Sequence, residues 1–364
     1  MKHEEMTQQY STWGDKLLQH ADRLDEIQNE RMLRPITVQL APTEVCSSDC
    51  PFCSVAGRPV KTRMPWNVVE GVLRDFADLG AKSVEITGGG DPMLYSHSSH
   101  NINDVVELAS VLGLDVGIIT NSHSLKRIDP NLHRGIQWIR ISLIQLDEGV
   151  EPEDYDFNGF PEERMGLSYI IYETDGTPDI LSRTNRAYQG TTPETIQRLA
   201  RLVELHPDVK FVRLAGDCLM QGNNKLVGEQ WRPVIDEIDK WGKFFLKDIQ
   251  DQDIPYDQAC YMGAIRPYVA AHPKGGEYPP QVYVCTSHVL ENRVYDLDYS
   301  LGNATNVPEI WERMNKNFRQ LGYPYAVRSS PGCGWNVSCS HCFYQNNNRL
   351  LHTVATELPD KNFP

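Results

Sequence analysis

The segment Cys46-Ser47-Ser48-Asp49-Cys50-Pro51-Phe52-Cys53 places three cysteines at C-x3-C-x2-C spacing. It follows Ile36-Thr37-Val38-Gln39-Leu40, an apolar run that reads as a β-strand. Three thiolates on so short a loop can cap three corners of a cubane cluster, leaving the fourth iron open to a small molecule. Structural zinc and ferredoxin-type clusters take four protein ligands, so an incomplete set constrains the chemistry as much as the ligands themselves do. Without further context the same cysteines also suit a zinc knuckle.

The context comes about thirty residues on. Val84-Glu85-Ile86-Thr87-Gly88-Gly89-Gly90-Asp91-Pro92 is a short apolar strand running into three glycines and an acid. The glycines permit close backbone approach, and Asp91 can accept a hydrogen bond from an ammonium group. Loop and motif together resemble the radical S-adenosylmethionine (SAM) superfamily, whose cluster loop has this spacing and commonly an aromatic residue, here Phe52, before the third cysteine. The glycine segment resembles that family's Gly-Gly-Glu-Pro motif, with Asp91 in place of Glu. The resemblance implies that Cys46, Cys50 and Cys53 hold a 4Fe–4S cluster. It also implies that Gly88, Gly89, Gly90 and Asp91 hold SAM by its amino group, and that one electron from the cluster splits SAM to a 5′-deoxyadenosyl radical.

At 364 residues the chain has room for one large domain and a smaller one. No apolar run approaches the roughly 20 residues that span a bilayer, and Met1-Lys2-His3-Glu4-Glu5 lacks a signal-peptide core; a cytoplasmic protein without a membrane partner is the expectation. Nine cysteines in a reducing compartment argue for metal ligation over disulfides. A formal charge of −14 disfavours nonspecific binding to nucleic acid, while Arg183, Arg186, Arg198 and Arg201 leave room for a local basic groove.

Residues 5–33 read as an N-terminal helix on the outside of the domain. From Ile36 onward strands are expected at 36–40, 83–87, 114–120, 137–143, 167–172 and 209–214, with helices near 65–79, 102–112, 193–206 and 229–242. Pro65 and Pro193 suit first helical turns and Gly80 a helix stop. Apolar strands alternating with amphipathic helices imply an α/β fold with a parallel sheet, and six such units resemble the partial (β/α)6 TIM-like barrel of the radical SAM family. The acidic stretch 145–165 is expected to replace one barrel helix by a loop, and 173–192 to contribute to the substrate mouth. The expected organisation is a helical extension (1–34), a partial barrel (35–248), an auxiliary domain (249–345) and a tail (346–364).

In such barrels chemistry sits where strands end. Both motifs obey that rule, as do Asn121 and Ser142; the resemblance places Ser142 at SAM's ribose, although Ile144 stands where relatives carry an acid, and both residues equally suit structural turn roles. The last hundred residues hold Cys260, Cys285, Cys333, Cys339 and Cys342. With the Leu301-Gly302-Asn303 turn, Glu309-Ile310-Trp311 and the Cys339-Ser340-His341-Cys342 knuckle, this region resembles the SPASM or shorter twitch extension. That implies an auxiliary 4Fe–4S cluster on Cys260, Cys285, Cys339 and Cys342, four thiolates that would equally accept zinc.

A reducing donor such as flavodoxin or ferredoxin is then required. The substrate would be an amino acid, peptide, sugar or nucleoside, ending in oxidation, epimerisation or isomerisation; a rearranged amino-acid group on a nucleoside or DNA base is an alternative. An iron–sulfur electron carrier, or a zinc protein binding nucleic acid, is the alternative of another class. Arg213 is a candidate anchor for a substrate carboxylate or phosphate, or else a structural ion-pair partner. Cys218, just past the sixth strand, is either a small buried hydrophobe or a thiol that returns a hydrogen atom to a substrate radical. In the second case Cys218→Ala abolishes solvent-deuterium incorporation into product made in deuterium oxide; unchanged incorporation by mass spectrometry removes that role.

Overall fold

The computed structural model describes residues 3–10, 14–56, 59–173, 188–217, 224–247, 260–271, 278–286, 300–324 and 344–356. Cys218, Cys333, Cys339 and Cys342, and most of the 173–192 stretch, lie outside these residues.

Seven parallel strands follow one another in space in chain order: β1 (Thr37–Ala41), β2 (Ser83–Ile86), β3 (Asp115–Thr120), β4 (Ile136–Ser142), β5 (Met165–Ile171), β6 (Phe211–Gly216) and β7 (Phe244–Lys247). On the far side of β1 the sheet continues with β8 (Tyr268–Ala270), parallel, then β9 (Gln281–Tyr283) and β10 (Ser300–Asn303), both antiparallel to their neighbours. Among the described residues β10 and β7 do not pair, so the barrel is partial. The six expected strands all form, within two residues. β7 was missed because four residues, Phe244-Phe245-Leu246-Lys247, are too short to show a period beside the preceding helix.

Helices α2 (Trp66–Asp78), α3 (Ile102–Val111), α4 (Pro193–Leu205) and α5 (Asn224–Ile238) cover the outside. Val68, Val69, Val72, Leu73 and Phe76 form the buried stripe of α2. Gly80, at φ +87°, ends it in the left-handed region that favours glycine. A reciprocal capping box between Asn101 and Asp104 starts α3, and Thr192 with Pro193 starts α4. Between β4 and β5 there are only short 3-10 turns, as the acidic composition suggests.

The N-terminal segment differs from the single helix expected of it. It is α1 (His3–Tyr10), a 3-10 turn (Gly14–Gln19) and a wound pair of turns (Ala21–Asp25, Glu26–Glu30) ended by Arg31 at φ +52°. Helix α1 sits beneath the barrel, where Met6 packs with Phe211 and Phe245, and Tyr10 stacks on Phe211 at 4.5 Å. From the C-terminal side, α6 (Val307–Leu321) lays Trp311 edge-on against Phe76 at 5.1 Å. α7 (Gln345–Ala355) falls where only a tail was expected.

Two glycines make space inside the barrel. A Cβ on Gly117 would lie 2.3 Å from the Trp138 indole, and one on Gly166 2.2 Å from the Phe211 ring, each aromatic being the glycine's partner on the next strand. The lumen is therefore floored by aromatic rings laid across backbone. Gly117→Ala should cost about 1–3 kcal/mol in urea unfolding. Gly71→Ala, in α2 with open space around its Cβ, should instead gain about 0.5–1 kcal/mol; equal effects would show that the indole does not rest on the glycine.

Candidate active site

The C-terminal ends of β1 and β2 are sewn together beyond the sheet. Gly90 N donates to Thr43 O at 3.1 Å and Asp91 N to Val45 O at 2.7 Å. The glycine segment thus continues the parallel ladder along the stem of the cysteine loop, one residue short of Cys46. Side chains cannot be fitted there. A Cβ on Gly90 would stand 2.1 Å from Val45 O, and one on Gly88 2.2 Å from Gly90 O.

Asp91 is buried, and its Oδ1 accepts from Met93 N at 3.1 Å and from Thr120 Oγ1 at 2.6 Å. Both donors meet the same oxygen; Oδ2 has no hydrogen bond among the described residues. Burial pushes the carboxyl above its ordinary range, against the pull of Thr120, Met93 and Arg127. An acid so placed is stabilised by an incoming cation.

The cysteine loop is held from a second direction. Asn121 Nδ2 donates to Ser48 Oγ at 2.6 Å and approaches Cys46 Sγ at 3.7 Å, while Ser48 Oγ donates to Glu148 Oε2 at 3.2 Å and Tyr188 Oη donates to Glu148 Oε1 at 2.8 Å. Asn121 thus braces the loop; its buried Oδ1 has no partner among the described residues. Cys53 N donates to Cys50 O at 3.0 Å, which puts these two on one turn. All three thiols are half-buried, yet no three His, Cys, Asp or Glu side chains among the described residues converge as a ready metal-binding group. Ser142 ends β4 half-exposed, with no side-chain bond to the turn it begins.

Phe52 leans on Tyr172 with ring centroids 4.9 Å apart, and Tyr172 and Tyr169 both donate to Asp147 Oδ2, at 3.0 and 2.8 Å. Phe52 aside, nothing in the sequence marked these residues. Asp147 and Glu148 lie in a run read only as an acidic loop, and its contact with the cysteine loop is tertiary. Burial raises the Asp147 carboxyl to about 6, opposed by the two tyrosine donors and Arg198 and helped by Glu148.

Below the loops a cavity of about 920 Å³ runs down the lumen. Cys50, Phe52, Cys53, Gly88 and Gly89 line one part of it, and Arg140, Arg213 and Arg266 the strand walls and the C-terminal side. Glu85, on β2, accepts from Gln39 Nε2 at 2.6 Å and from Arg266 Nη2 at 2.8 Å. Burial alone would raise this carboxyl, but Arg266, Arg140 and the two hydrogen bonds outweigh it and hold it below the usual range, so it is charged.

Of the auxiliary cysteines, Cys260 and Cys285 are described and half-buried. Both face the first turn of α7: Asn348 Nδ2 approaches Cys260 Sγ at 3.7 Å, and Tyr344 meets Thr286 at 3.2 Å while feeling the charge of Cys285.

Residues 40–153 match the family model described as the radical SAM superfamily. A GTP 3′,8-cyclase of Actinobacillus pleuropneumoniae serotype 5b is 30% identical over 137 residues, which are 35% of this chain and 38% of that protein. The chain therefore matches under two fifths of that curated relative's length. SuiB of Streptococcus suis bound to precursor peptide SuiA superposes with a TM-score of 0.51 at 15% identity, over 91% of this chain and 77% of that one. SuiB bound to S-adenosylmethionine gives 0.50 at 14%, over 91% and 76%. At such identity the likeness speaks for the fold, and it agrees with the partial barrel. Among the described residues no helix is long and apolar enough to cross a membrane.

A raised carboxyl fixes the sign of one pH effect. The folded chain keeps the Asp147 proton over a range in which the unfolded chain has released it, so its contribution is full below the ordinary value and is lost as pH rises through about 6. Between pH 4 and pH 7 the urea midpoint of Asp147→Asn should therefore rise relative to the parent. A pH-independent difference would show that the carboxyl is not held protonated.

Proposed function

We propose that this chain, a radical SAM superfamily enzyme through residues 40–153, removes a hydrogen atom from a C–H bond of a substrate held in its lumen. The observation that carries this is the backbone seam joining Gly90 and Asp91 to the stem of the cysteine loop, which sets an acid with one unsatisfied oxygen beside Cys46.

The residues present fit the group that the family implies. Gly88 and Gly90 let the backbone of the two loops approach too closely for any Cβ, Gly88 and Gly89 line the cavity, and three half-buried thiols stand on one loop, two of them at the cavity wall. When bound, the cluster and SAM supply the electron and the carbon radical that no amino-acid side chain provides. Cys46, Cys50 and Cys53 would hold three irons, and Oδ2 of Asp91 would accept the SAM ammonium. Ser142 would reach the ribose, whereas Asn121 keeps the loop in place. Arg213 on β6 would anchor an anionic group of the substrate, and the aromatic floor would keep water from the reacting carbon. Cys260 and Cys285, with Cys339 and Cys342 beyond the described residues, would hold an auxiliary 4Fe–4S cluster that takes the electron in an oxidation.

The substrate class is the finer part of the proposal. The notable relatives differ: SuiB is bound to a peptide, and the cyclase name specifies a nucleotide. A peptide, a sugar or a nucleoside remains the proposed substrate class, and ring closure joins oxidation, epimerisation and isomerisation as an outcome. A flavodoxin or ferredoxin would supply the electron.

Anaerobic reconstitution should yield about eight irons per chain if both sites take cubanes, and 5′-deoxyadenosine on adding SAM and dithionite. About four irons with 5′-deoxyadenosine would remove the auxiliary cluster, leaving zinc or nothing on those cysteines. Absence of 5′-deoxyadenosine across candidate substrates would favour an electron carrier. Asp91→Asn should weaken SAM binding about tenfold or more. Gly90→Ala should abolish it, because the Cβ meets backbone rather than a movable side chain.

A further inference from the structure

The lumen carries charge that the radical chemistry does not use. Seven Lys and Arg side chains line the cavity, Arg140, Arg213, Lys247 and Arg266 among them, against Glu85, Asp115 and Asp217. This local excess of positive charge sits inside a chain whose formal charge is −14. Arg266 is committed to Glu85, and Arg213, Lys247 and Asp217 have interactions of their own.

Arg140 is different. It projects from β4, level with Ile119 on β3 and Gly166 on β5, both of which also line the cavity. Its guanidinium makes no hydrogen bond or ion pair among the described residues; its Nε is buried without a partner, as are those of Arg213 and Arg266, but those two have other interactions. Glu85 attracts it only at longer range, and Arg266 repels it. A guanidinium cannot shed its charge, and a buried Nε–H left unmet beside a part-desolvated cavity is costly.

We propose that Arg140 is the recognition residue for a phosphate group on the substrate, binding it in the lumen together with Arg213. This rests on the lumen being the substrate site. Seven basic groups against three acidic ones leave a formal local excess of four positive charges, of which a phosphate monoester of about −1.5 to −2 neutralises more than a single carboxylate does. The planar fork of arginine matches two phosphate oxygens at once. Gly117 and Gly166, with no side chains of their own in the lumen, leave Trp138 and Phe211 as a flat floor for the apolar part of the same molecule.

The test is calorimetric titration of the reconstituted full chain at low ionic strength with inorganic phosphate, and separately with acetate. One phosphate site per chain is expected, with acetate weaker. Arg140→Gln should weaken phosphate binding about 30-fold or more, and Arg140→Lys, which keeps the charge and loses the fork, should fall between. Phosphate binding by Arg140→Gln equal to that of the parent overturns the proposal, and so does acetate binding as tightly as phosphate. If Arg140→Gln does not fold, Arg140→Lys carries the comparison, and parent-like binding by it overturns the fork-based recognition. SAM cleavage by the parent chain is measured beside it: phosphate binding that depends on Arg140 without any 5′-deoxyadenosine would leave the anion site standing and fell the radical SAM assignment, while the reverse pattern would fell the anion site alone.

Discussion

Two backbone hydrogen bonds, from Gly90 to Thr43 and from Asp91 to Val45, hold the site together. They extend the β1–β2 ladder past the last regular residues of both strands, so two loops that would otherwise diverge stay parallel. Side chains cannot do this work, because there is no room for a Cβ at Gly90. The position of the acid relative to the first cysteine is therefore fixed by main-chain geometry. Everything else at the mouth braces that seam: Asn121 after β3 onto Ser48 of the cysteine loop, Glu148 after β4 and Tyr188 after β5, and Phe52 against Tyr172.

Much of this was legible in the amino-acid sequence, for a physical reason. Cysteine spacing and a glycine run are local signals, and their consequences are local too. The strand that precedes each motif is a short apolar run whose ends fall within a residue or two of those observed. What stayed illegible is tertiary. Asp147 gives no local hint that two tyrosines from β5 and its end will converge on it. Arg140 looks like any polar residue alternating along a strand, and only the closing of the sheet turns it toward a lumen. The N-terminal segment misled because its leucines and isoleucine suit one helix, whereas Met6, Leu17 and Ile27 bury against different parts of the barrel.

The interior combines two incompatible demands. A barrel of this size is ordinarily filled by branched apolar side chains, stacked in layers. Here Gly117 and Gly166 remove two of them, and neighbouring rings fill only the lower part. The upper part holds arginines, a lysine and acids beside a substantial cavity. The Glu85–Arg266 pair, supported by Gln39, bridges β2 and the segment before β8 across that polar layer. It supplies cohesion where hydrophobic packing is absent.

The pairing of β1 with β8 has a kinetic side. β1 carries the cysteine loop, and one of its two edges is completed by residues 268–270. Just upstream, Leu33 is clamped through both its N–H and C=O by Asn315, 282 residues further along the chain. A chain emerging from the ribosome N-terminus first thus presents its cysteine loop with one strand edge bare until residues 268–270 have been made. Contacts of such sequence separation are slow to form and leave unpaired edges exposed meanwhile. The part of the molecule that reads most plainly in the sequence is thus held in place by contacts that form only after most of the chain has been made.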